Sequence, residues 1–182
     1  MDSDELYITG VHHGDEAVFT RLVHAYLAPL TRFAFGFIGV EDTAHDIVQD
    51  VFARIWQLGA DWSPKSGVAA YLFTAVRHRS LDVIKAGRAS HRLQDALLTQ
   101  TELTSTDTNP YTDVALIALV RRELQTLTQR QRDALRLRYE QEHTMAQVAT
   151  ILGIDVSAAE KLVARALVAL RTKLEHLREE LE

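Results

Sequence analysis

The sequence contains no cysteine, which excludes disulfide bonds and thiolate zinc sites. It also lacks long apolar segments: the longest run, Val114 to Val120, is far shorter than the roughly 20 residues needed to span a bilayer. The first residues, Met1 to Glu5, are acidic where a secretory signal would be basic and then apolar. These absences predict a cytoplasmic protein that does not insert into a membrane.

Catalytic and metal-binding motifs are absent as well. The 8 histidines include no pair four positions apart, and no glycine-rich phosphate loop or serine elbow occurs. Asp46 and Asp50 would form a catalytic pair only inside a cleft, which an exposed helix face does not provide. We therefore predict that the protein is not an enzyme and has no cofactor, bound metal or small-molecule substrate.

Charge is distributed unevenly along the chain. The formal net charge of -5 argues against general coating of nucleic acid. Locally, however, residues 41–61 are mostly acidic, residues 77–92 are mostly basic, and arginines recur between Arg121 and Arg138. This order predicts a protein partner and a phosphate backbone as ligands. The alternative is that these charges only keep helix surfaces solvated.

The N-terminal part is predicted to contain three helices that share one core. Pro29 removes a backbone donor, so we expect the first helix to kink or break near Ala28. Expected boundary markers are Gly36 and Gly39 after the first helix, an Asp42 cap and Gly59 for the second, and Val68 and about Lys85 for the third.

The second of these helices has one apolar and one polar side. Its apolar residues follow the three-and-four spacing of a buried stripe: Ile47, Val48, Val51, Phe52 and Ile55. On the opposite side lie Asp46, Gln49 and Asp50. This polar group fits either a solubilising surface or a docking site for a basic partner.

Between residues 87 and 112 the apolar pattern gives way to Ser, Thr, Gln, Asp and Asn, with Asn109-Pro110 as a breaker. We interpret this stretch as a flexible linker between two domains, residues 1–86 and residues 113–182. Its short apolar patch, Ala96-Leu97-Leu98, is suited either to forming a transient helix or to packing on a partner.

The C-terminal part carries three matches to the capping box: Thr128 with Gln131, Thr144 with Gln147, and Ser157 with Glu160. The last two flank a short helix that ends at Gly153, followed within a few residues by another helix. This spacing predicts a helix-turn-helix, with Ala149 at the helix contact and Ile154 at the corner. The outer face of the second helix offers Ala158, Lys161, Ala164, Arg165 and Val168.

Taken together, these motifs resemble those of bacterial sigma factors. The residues that carry the likeness are Asp46 to Phe52 followed by Trp56, then Tyr71-Leu72 and Arg77 to Asp82, then Leu127-Thr128 and the helix-turn-helix. The closest group is the extracytoplasmic-function (ECF) type, which keeps only conserved regions 2 and 4. The resemblance implies an all-α fold with two small helical domains joined by a flexible linker.

It also implies roles for particular residues. The polymerase-binding face, which docks on the clamp helices of the largest subunit, corresponds to Asp46, Gln49 and Asp50. The minus-10 contacts, where a base is extruded, correspond to Arg77, His78, Arg79, Lys85 and Arg88. The minus-35 contacts correspond to Ser157, Ala158, Lys161 and Arg165 in the major groove, with Arg132 and Arg136 on the DNA backbone. Tyr71 and Phe73 are candidates both for base stacking and for the core, with the core favoured for Tyr71.

Two departures from the family pattern affect DNA recognition. His78 stands where an asparagine is usual, although imidazole can still stack or donate a hydrogen bond. The recognition helix has few basic residues, and arginine is the commonest bidentate ligand of guanine. We therefore expect weak base discrimination there, or recognition of an A·T-rich or shape-defined site. Our hypothesis is that the minus-10 contact determines more of the promoter choice.

The resemblance implies core RNA polymerase, including its flap, and promoter DNA as partners. An anti-sigma factor that covers both domains is expected too. Two other interpretations remain: a free-standing helix-turn-helix regulator, and a degenerate sigma-like protein that binds polymerase or an anti-sigma factor without recognising DNA. A sensor domain would offer a ligand pocket or a dimer face, whereas this N-terminal part offers an acidic face followed by a basic helix.

Overall fold

A computed structural model describes the backbone of residues 3–94 and 122–181, and the side chains of residues 3–87 and 122–173. Throughout these ranges the regular structure is helical, which confirms the expected all-α fold. The chain divides into two compact units, Met1–Ser105 and Thr106–Glu182. The linker patch at residues 96–98 and the apolar run at residues 114–120 lie outside the described residues.

Among residues 3–94, the described part of the N-terminal unit, there are four α-helices, one more than the sequence predicts. Their bounds are α1 Ser3–His12, α2 Glu16–Ile38, α3 Glu41–Leu58 and α4 Val68–Gln94, with a 3₁₀ turn at Gly59–Asp61. Helix α4 continues nine residues beyond the expected end at Lys85. Its backbone remains helical where the apolar pattern has already faded, so side-chain periodicity underestimated its length.

Of the kink or break expected near Ala28, the break does not occur, because helix α2 passes through Pro29 without ending there. One missing backbone donor costs a hydrogen bond, but the residues around it are fixed by packing: Leu22, Leu30 and Phe33 are all at most 1% exposed. Asp15 caps the helix by accepting hydrogen bonds from the Ala17 and Val18 amides. Burial of the helix on both sides of the proline therefore outweighs the local defect.

Helix α3 begins two residues earlier than an Asp42 cap would allow. Val40 occupies the N-cap position without a side-chain hydrogen bond, and Asp42 lies in the first turn. A carboxylate there still interacts favourably with the helix dipole. The predicted end is confirmed: the Gly59 N–H donates to the Ile55 carbonyl, and Gly59 has a φ of 50°, which favours glycine.

The loop between α3 and α4 is attached at both ends to α1. The ring of His12 donates from Nε2 to the Trp62 carbonyl at 2.7 Å, and the Val68 N–H donates to Asp4 Oδ2 at 2.9 Å. Trp62 itself is fully buried, with its ring edge-on to Tyr71 at a centroid distance of 5.9 Å. Helix α1 thus determines where the loop ends and where α4 begins.

The C-terminal unit contains the predicted helix-turn-helix. In the described part of this unit, helical residues 122–125 are followed by α5 Gln129–Leu135, a π-helical segment Arg136–Glu140, α6 Met145–Leu152 and α7 Val156–Leu181. The first two capping boxes are present, with Thr128 and Gln131 at α5 and Thr144 and Gln147 at α6. Gly153 ends α6 in the left-handed conformation, and the Ile154 N–H donates to the Ala149 carbonyl.

The third predicted capping box is wrong. Helix α7 begins at Val156, and the Asp155 carboxylate accepts a hydrogen bond from the Ala158 N–H at 2.8 Å. Asp155 therefore caps the helix, and Ser157 lies inside the first turn with its side chain exposed. Aspartate is at least as good an N-cap as serine, and starting two residues earlier adds helix without losing the cap.

The core of this unit lies between α5, α6 and α7, where Leu137, Val148, Ala159 and Ala166 are fully buried. Beside it, the carboxylate of Glu123 is only 9% exposed and forms ion pairs with Arg122 at 3.1 Å and Lys173 at 3.6 Å. These charge-assisted contacts attach the residues before α5 to α7.

Candidate functional site

The polar side of α3 is exposed as the sequence predicts. Its opposite side is buried, with Ile47, Val48, Val51, Phe52 and Ile55 all at most 7% exposed. The side chains of Asp46, Gln49 and Asp50 point to solvent, one turn apart on one face. We call these three residues the acidic face.

Helix α4 presents basic side chains next to the acidic face. His78, Arg79 and Lys85 are exposed and Arg77 is half-buried, whereas the side chain of Arg88 lies outside the described residues. Lys85 pairs with Asp82 at 3.6 Å. Arg79 Nη2 lies 2.9 Å from Asp50 Oδ2, which connects the two helices directly.

An open groove of about 570 Å³ runs between α3 and α4 at this point. Its lining residues are Asp50, Val51, Arg54, Ile55, Tyr71, Thr74, Ala75, His78, Arg79 and Asp82. The groove therefore brings together one residue of the acidic face and two of the basic residues predicted to contact DNA. Charges of both signs line its walls.

The two aromatic candidates for base stacking have different environments. Phe73 is 2% exposed and packs against Phe33 with ring centroids 5.2 Å apart, so it belongs to the core and cannot stack on a base. Tyr71 is half-buried, packs on Trp62, and lines the groove. Tyr71 therefore makes the core contact favoured from the sequence and is also accessible from the groove.

The recognition helix α7 exposes Ser157, Lys161 and Arg165, whereas Ala158 is half-buried. Apolar side chains share this outer surface, and Val168 is 65% exposed. The helix therefore offers few hydrogen-bond donors for base edges. Small apolar groups suit contact with thymine methyl groups.

The predicted backbone contacts Arg132 and Arg136 are both half-buried. The guanidinium of Arg132 donates to the Leu127 carbonyl, to the Gln125 carbonyl at 3.1 Å and to Gln129 Oε1 at 2.7 Å. It therefore also fixes the turn before α5. Both arginines line a second groove of about 250 Å³ with Leu124, Leu135, Tyr139, Glu140, Leu167 and Leu170.

Three contributors were not predicted from the sequence: Asp4 and His12, which hold the α3–α4 loop, and the pairing of Arg79 with Asp50. Each contact joins residues at least 29 positions apart. No local pattern in the sequence predicts such contacts. They depend on how α1, α3 and α4 pack.

Within the described parts of the chain, no three His, Asp or Glu side chains gather in a way that suits a metal ion. No helix in the same parts has both the length and the apolar character required to cross a membrane.

Two family models match the chain. The Sigma-70 region 2 model matches residues 22–90, and the Sigma-70 region 4 model matches residues 117–170. The first match begins within α2, so α1 lies outside it. The second contains α5, α6 and the first half of α7.

Curated relatives point to the same family. SigL of Mycobacterium tuberculosis, an ECF RNA polymerase sigma factor, is 28% identical over 93% of this chain and 96% of its own length. RpoE of Cereibacter sphaeroides, another ECF RNA polymerase sigma factor, is 31% identical over 77 residues, or 42% of each chain.

Two solved structures share the fold. CnrH, in complex with the cytosolic domain of CnrY, has a TM-score of 0.70 at 22% identity and covers 96% of this chain and 99% of its own. The sigma factor RpoE from Bartonella quintana, in complex with the anti-sigma factor NepR, has a TM-score of 0.69 at 22% identity and covers 86% and 96%.

Proposed function

We propose how this chain, which belongs to the sigma-70 family of RNA polymerase sigma factors and is of the ECF type, divides sigma-factor function between its two units. As a sigma factor it is not an enzyme, and it directs promoter-specific transcription initiation. Residues 1–86 act as region 2, residues 113–182 act as region 4, and residues 87–112 link them.

The observation that carries this proposal is the junction of an acidic and a basic surface at one groove. Asp46, Gln49 and Asp50 dock on the clamp helices of the largest polymerase subunit, because exposed carboxylates in a row complement a basic helix surface. The basic residues of α4 begin across the same groove. DNA held by α4 therefore lies directly beside the polymerase.

The minus-10 element is held by Arg77, His78, Arg79, Lys85 and Arg88. Basic side chains along a helix provide the electrostatic track that a separated DNA strand needs. The exposed imidazole of His78 and the ring of Tyr71 both line the groove, about two turns apart on the same face of α4. These two rings are the available partners for an extruded base, since Phe73 is buried in the core.

The minus-35 element is contacted by α7 of the helix-turn-helix, with Ser157, Ala158, Lys161 and Arg165 toward the major groove and Arg132 and Arg136 toward phosphates. Arg132 has five N–H donors, so its contacts within the chain leave donors for a phosphate. The polymerase flap occupies the second groove, where Tyr139 is 58% and Leu167 is 41% exposed.

An anti-sigma factor is the remaining proposed partner. Both structural relatives described above are complexes, one with the cytosolic domain of CnrY and one with the anti-sigma factor NepR. RNA polymerase and the chromosome share the bacterial cytoplasm, so we propose that compartment as the site of action.

Promoter selection tests the proposal. Core RNA polymerase with the added chain should produce run-off transcripts from a randomised promoter library, and the selected minus-10 positions should be more strongly restricted than the minus-35 positions. Lys161→Ala and Arg165→Ala should lower transcription on selected templates but not on templates with a scrambled minus-35 element.

Two results would oppose this account. Stronger restriction at the minus-35 than at the minus-10 positions would contradict the promoter hypothesis. Binding to polymerase without any transcript from the library would instead favour the degenerate sigma-like protein.

A further inference from the structure

The ion pair between Asp50 and Arg79 joins two residues with different proposed ligands. Asp50 belongs to the acidic face on α3, and Arg79 belongs to the basic residues of α4. Arg79 Nη2 and Asp50 Oδ2 are 2.9 Å apart. In the free chain, Arg79 is therefore paired with the carboxylate that polymerase would contact. Asp50 is paired with the guanidinium that a DNA phosphate would contact.

The surroundings of the pair let both ligands reach it. The side chains of Arg79 and Asp50 are 51% and 60% exposed, and both line the groove between α3 and α4. Asp46, one turn before Asp50 on the same face, makes no ion pair among the residues that the structure describes. The two carboxylates therefore lie on the same exposed face of α3, but they differ in that Asp50 pairs with Arg79.

The Asp50–Arg79 ion pair is weak enough for polymerase or DNA to displace it. Ion pairs between exposed side chains are weak, because water and salt screen them. A phosphate that approaches Arg79 comes within a few ångströms of the Asp50 carboxylate, well inside the screening length of about 8 Å at physiological salt. The carboxylate therefore both occupies Arg79 and repels the strand.

We infer that the Asp50–Arg79 ion pair is an autoinhibitory contact that couples polymerase docking to DNA binding. This inference rests on the proposed function. When a basic group of the polymerase neutralises Asp50, Arg79 is released and becomes available to a phosphate of the separated strand. Linkage requires the reverse as well: a phosphate that takes Arg79 leaves Asp50 free for the polymerase.

The first test uses the full chain without polymerase and a fluorescent oligo(dT) strand of about 12 nucleotides. Asp50→Asn should tighten binding about two- to fivefold, which corresponds to the loss of one exposed ion pair. Asp46→Asn, the matched control, removes the same charge one turn away and should tighten binding by less than about 1.5-fold. In a chain that already carries Arg79→Ala, Asp50→Asn should give no such gain in affinity for the strand.

The second test measures binding to core polymerase without DNA. Arg79→Ala should tighten docking about twofold, because it releases Asp50. Circular dichroism of each variant checks that it folds. Equal gains for Asp50→Asn and Asp46→Asn in the first test would overturn the coupling while leaving the docking proposal intact.

Two further outcomes separate the coupling from the proposed function. Weaker docking of Arg79→Ala would mean that Arg79 itself binds polymerase, which overturns the coupling. If the wild-type chain binds no core polymerase at all, the proposed function fails, whatever the oligonucleotide result.

Discussion

At the scale of single residues, His143 is a buried titratable group directly before the helix-turn-helix. The residue is 7% exposed. Its backbone N–H donates to the Leu137 carbonyl, and its backbone carbonyl accepts a hydrogen bond from the Arg138 side chain. Burial lowers the pKa of His143 below the ordinary value, and a side-chain hydrogen bond with Gln147 opposes this in part. Protonation of the imidazole is therefore less favourable in the folded C-terminal unit than in the unfolded chain.

This lowered pKa predicts that acid weakens the C-terminal unit. The unfolded chain binds a proton at His143 more readily than the folded chain, so the stabilisation is complete above the ordinary pKa of about 6.5 and is lost as pH falls through the folded value. Hydrogen-exchange protection of α6 amides should decrease between about pH 7.5 and 5.5. His143→Gln should flatten this dependence.

The matched control is His24→Gln, which removes an exposed histidine from the other unit. It should leave the pH dependence of α6 as in wild type. An unchanged pH dependence in His143→Gln would show that His143 is not the responsible group.

At the scale of secondary-structure elements, the start of the recognition helix distinguishes two cap assignments. Asp155 accepts the Ala158 N–H at 2.8 Å, and Ser157 is exposed within the first turn. Asp155→Ala should therefore destabilise the C-terminal unit by about 1 kcal/mol, while Ser157→Ala should change its free energy of unfolding by less than about 0.5 kcal/mol. Hydrogen exchange of the α7 amides under native conditions measures both.

A larger loss of stability in Ser157→Ala than in Asp155→Ala would support the Ser157–Glu160 capping box instead. In that case the Ser157 hydroxyl would be hydrogen-bonded within its own helix and less available to DNA.

The start of α4 depends on a residue from another helix. Asp4 accepts the Val68 N–H at 2.9 Å, so Asp4→Ala should lower the free energy of unfolding of the N-terminal unit by about 1 kcal/mol. Glu5→Ala, at an exposed neighbouring position, is the control and should have little effect. Tryptophan fluorescence during urea unfolding reports on this unit alone, because Trp56 and Trp62 are the only tryptophans.

Equal destabilisation by the two variants would indicate that the charge of the α1 N-terminus matters, and that the hydrogen bond to Val68 does not.

Local patterns predicted much of this fold. The buried stripe of α3, the Gly59 and Gly153 helix ends and the capping boxes of α5 and α6 depend on residues within one or two turns, and the structure confirms them. Of the two alternatives predicted at Pro29, a kink or a break, the break was wrong because packing of Leu30 and Phe33 outweighs a local defect. The contacts of helix α1 with Trp62 and Val68 were missed because they join residues 50 and 64 positions apart.

The same distinction applies to the candidate site. The exposure of Asp46, Gln49 and Asp50 followed from helical periodicity. Their position beside Arg79 did not, since it depends on how α3 packs on α4. The contacts of Arg132 within the chain were likewise invisible in a sequence that showed only a basic cluster.

At the scale of the whole molecule, we propose that the N-terminal unit docks on the polymerase clamp helices and holds the minus-10 element, and that the C-terminal unit contacts the polymerase flap and the minus-35 duplex. The acidic face is the part of the chain on which this division depends. Without docking, the basic residues of α4 and α7 would give only a weak DNA-binding protein of net charge -5. The proposed function of both units therefore depends on binding of the acidic face to polymerase.

The decisive measurement is the affinity of the labelled chain for purified core RNA polymerase, repeated with Asp46→Lys and with Asp50→Lys. Truncating one partner of a buried charge pair at an interface costs roughly 2 to 5 kcal/mol, so each reversal should weaken binding at least tenfold. Glu5→Lys, an equal charge change on exposed α1, should bind nearly as wild type. Unchanged affinity in both reversals, or equal weakening by Glu5→Lys, would contradict the account.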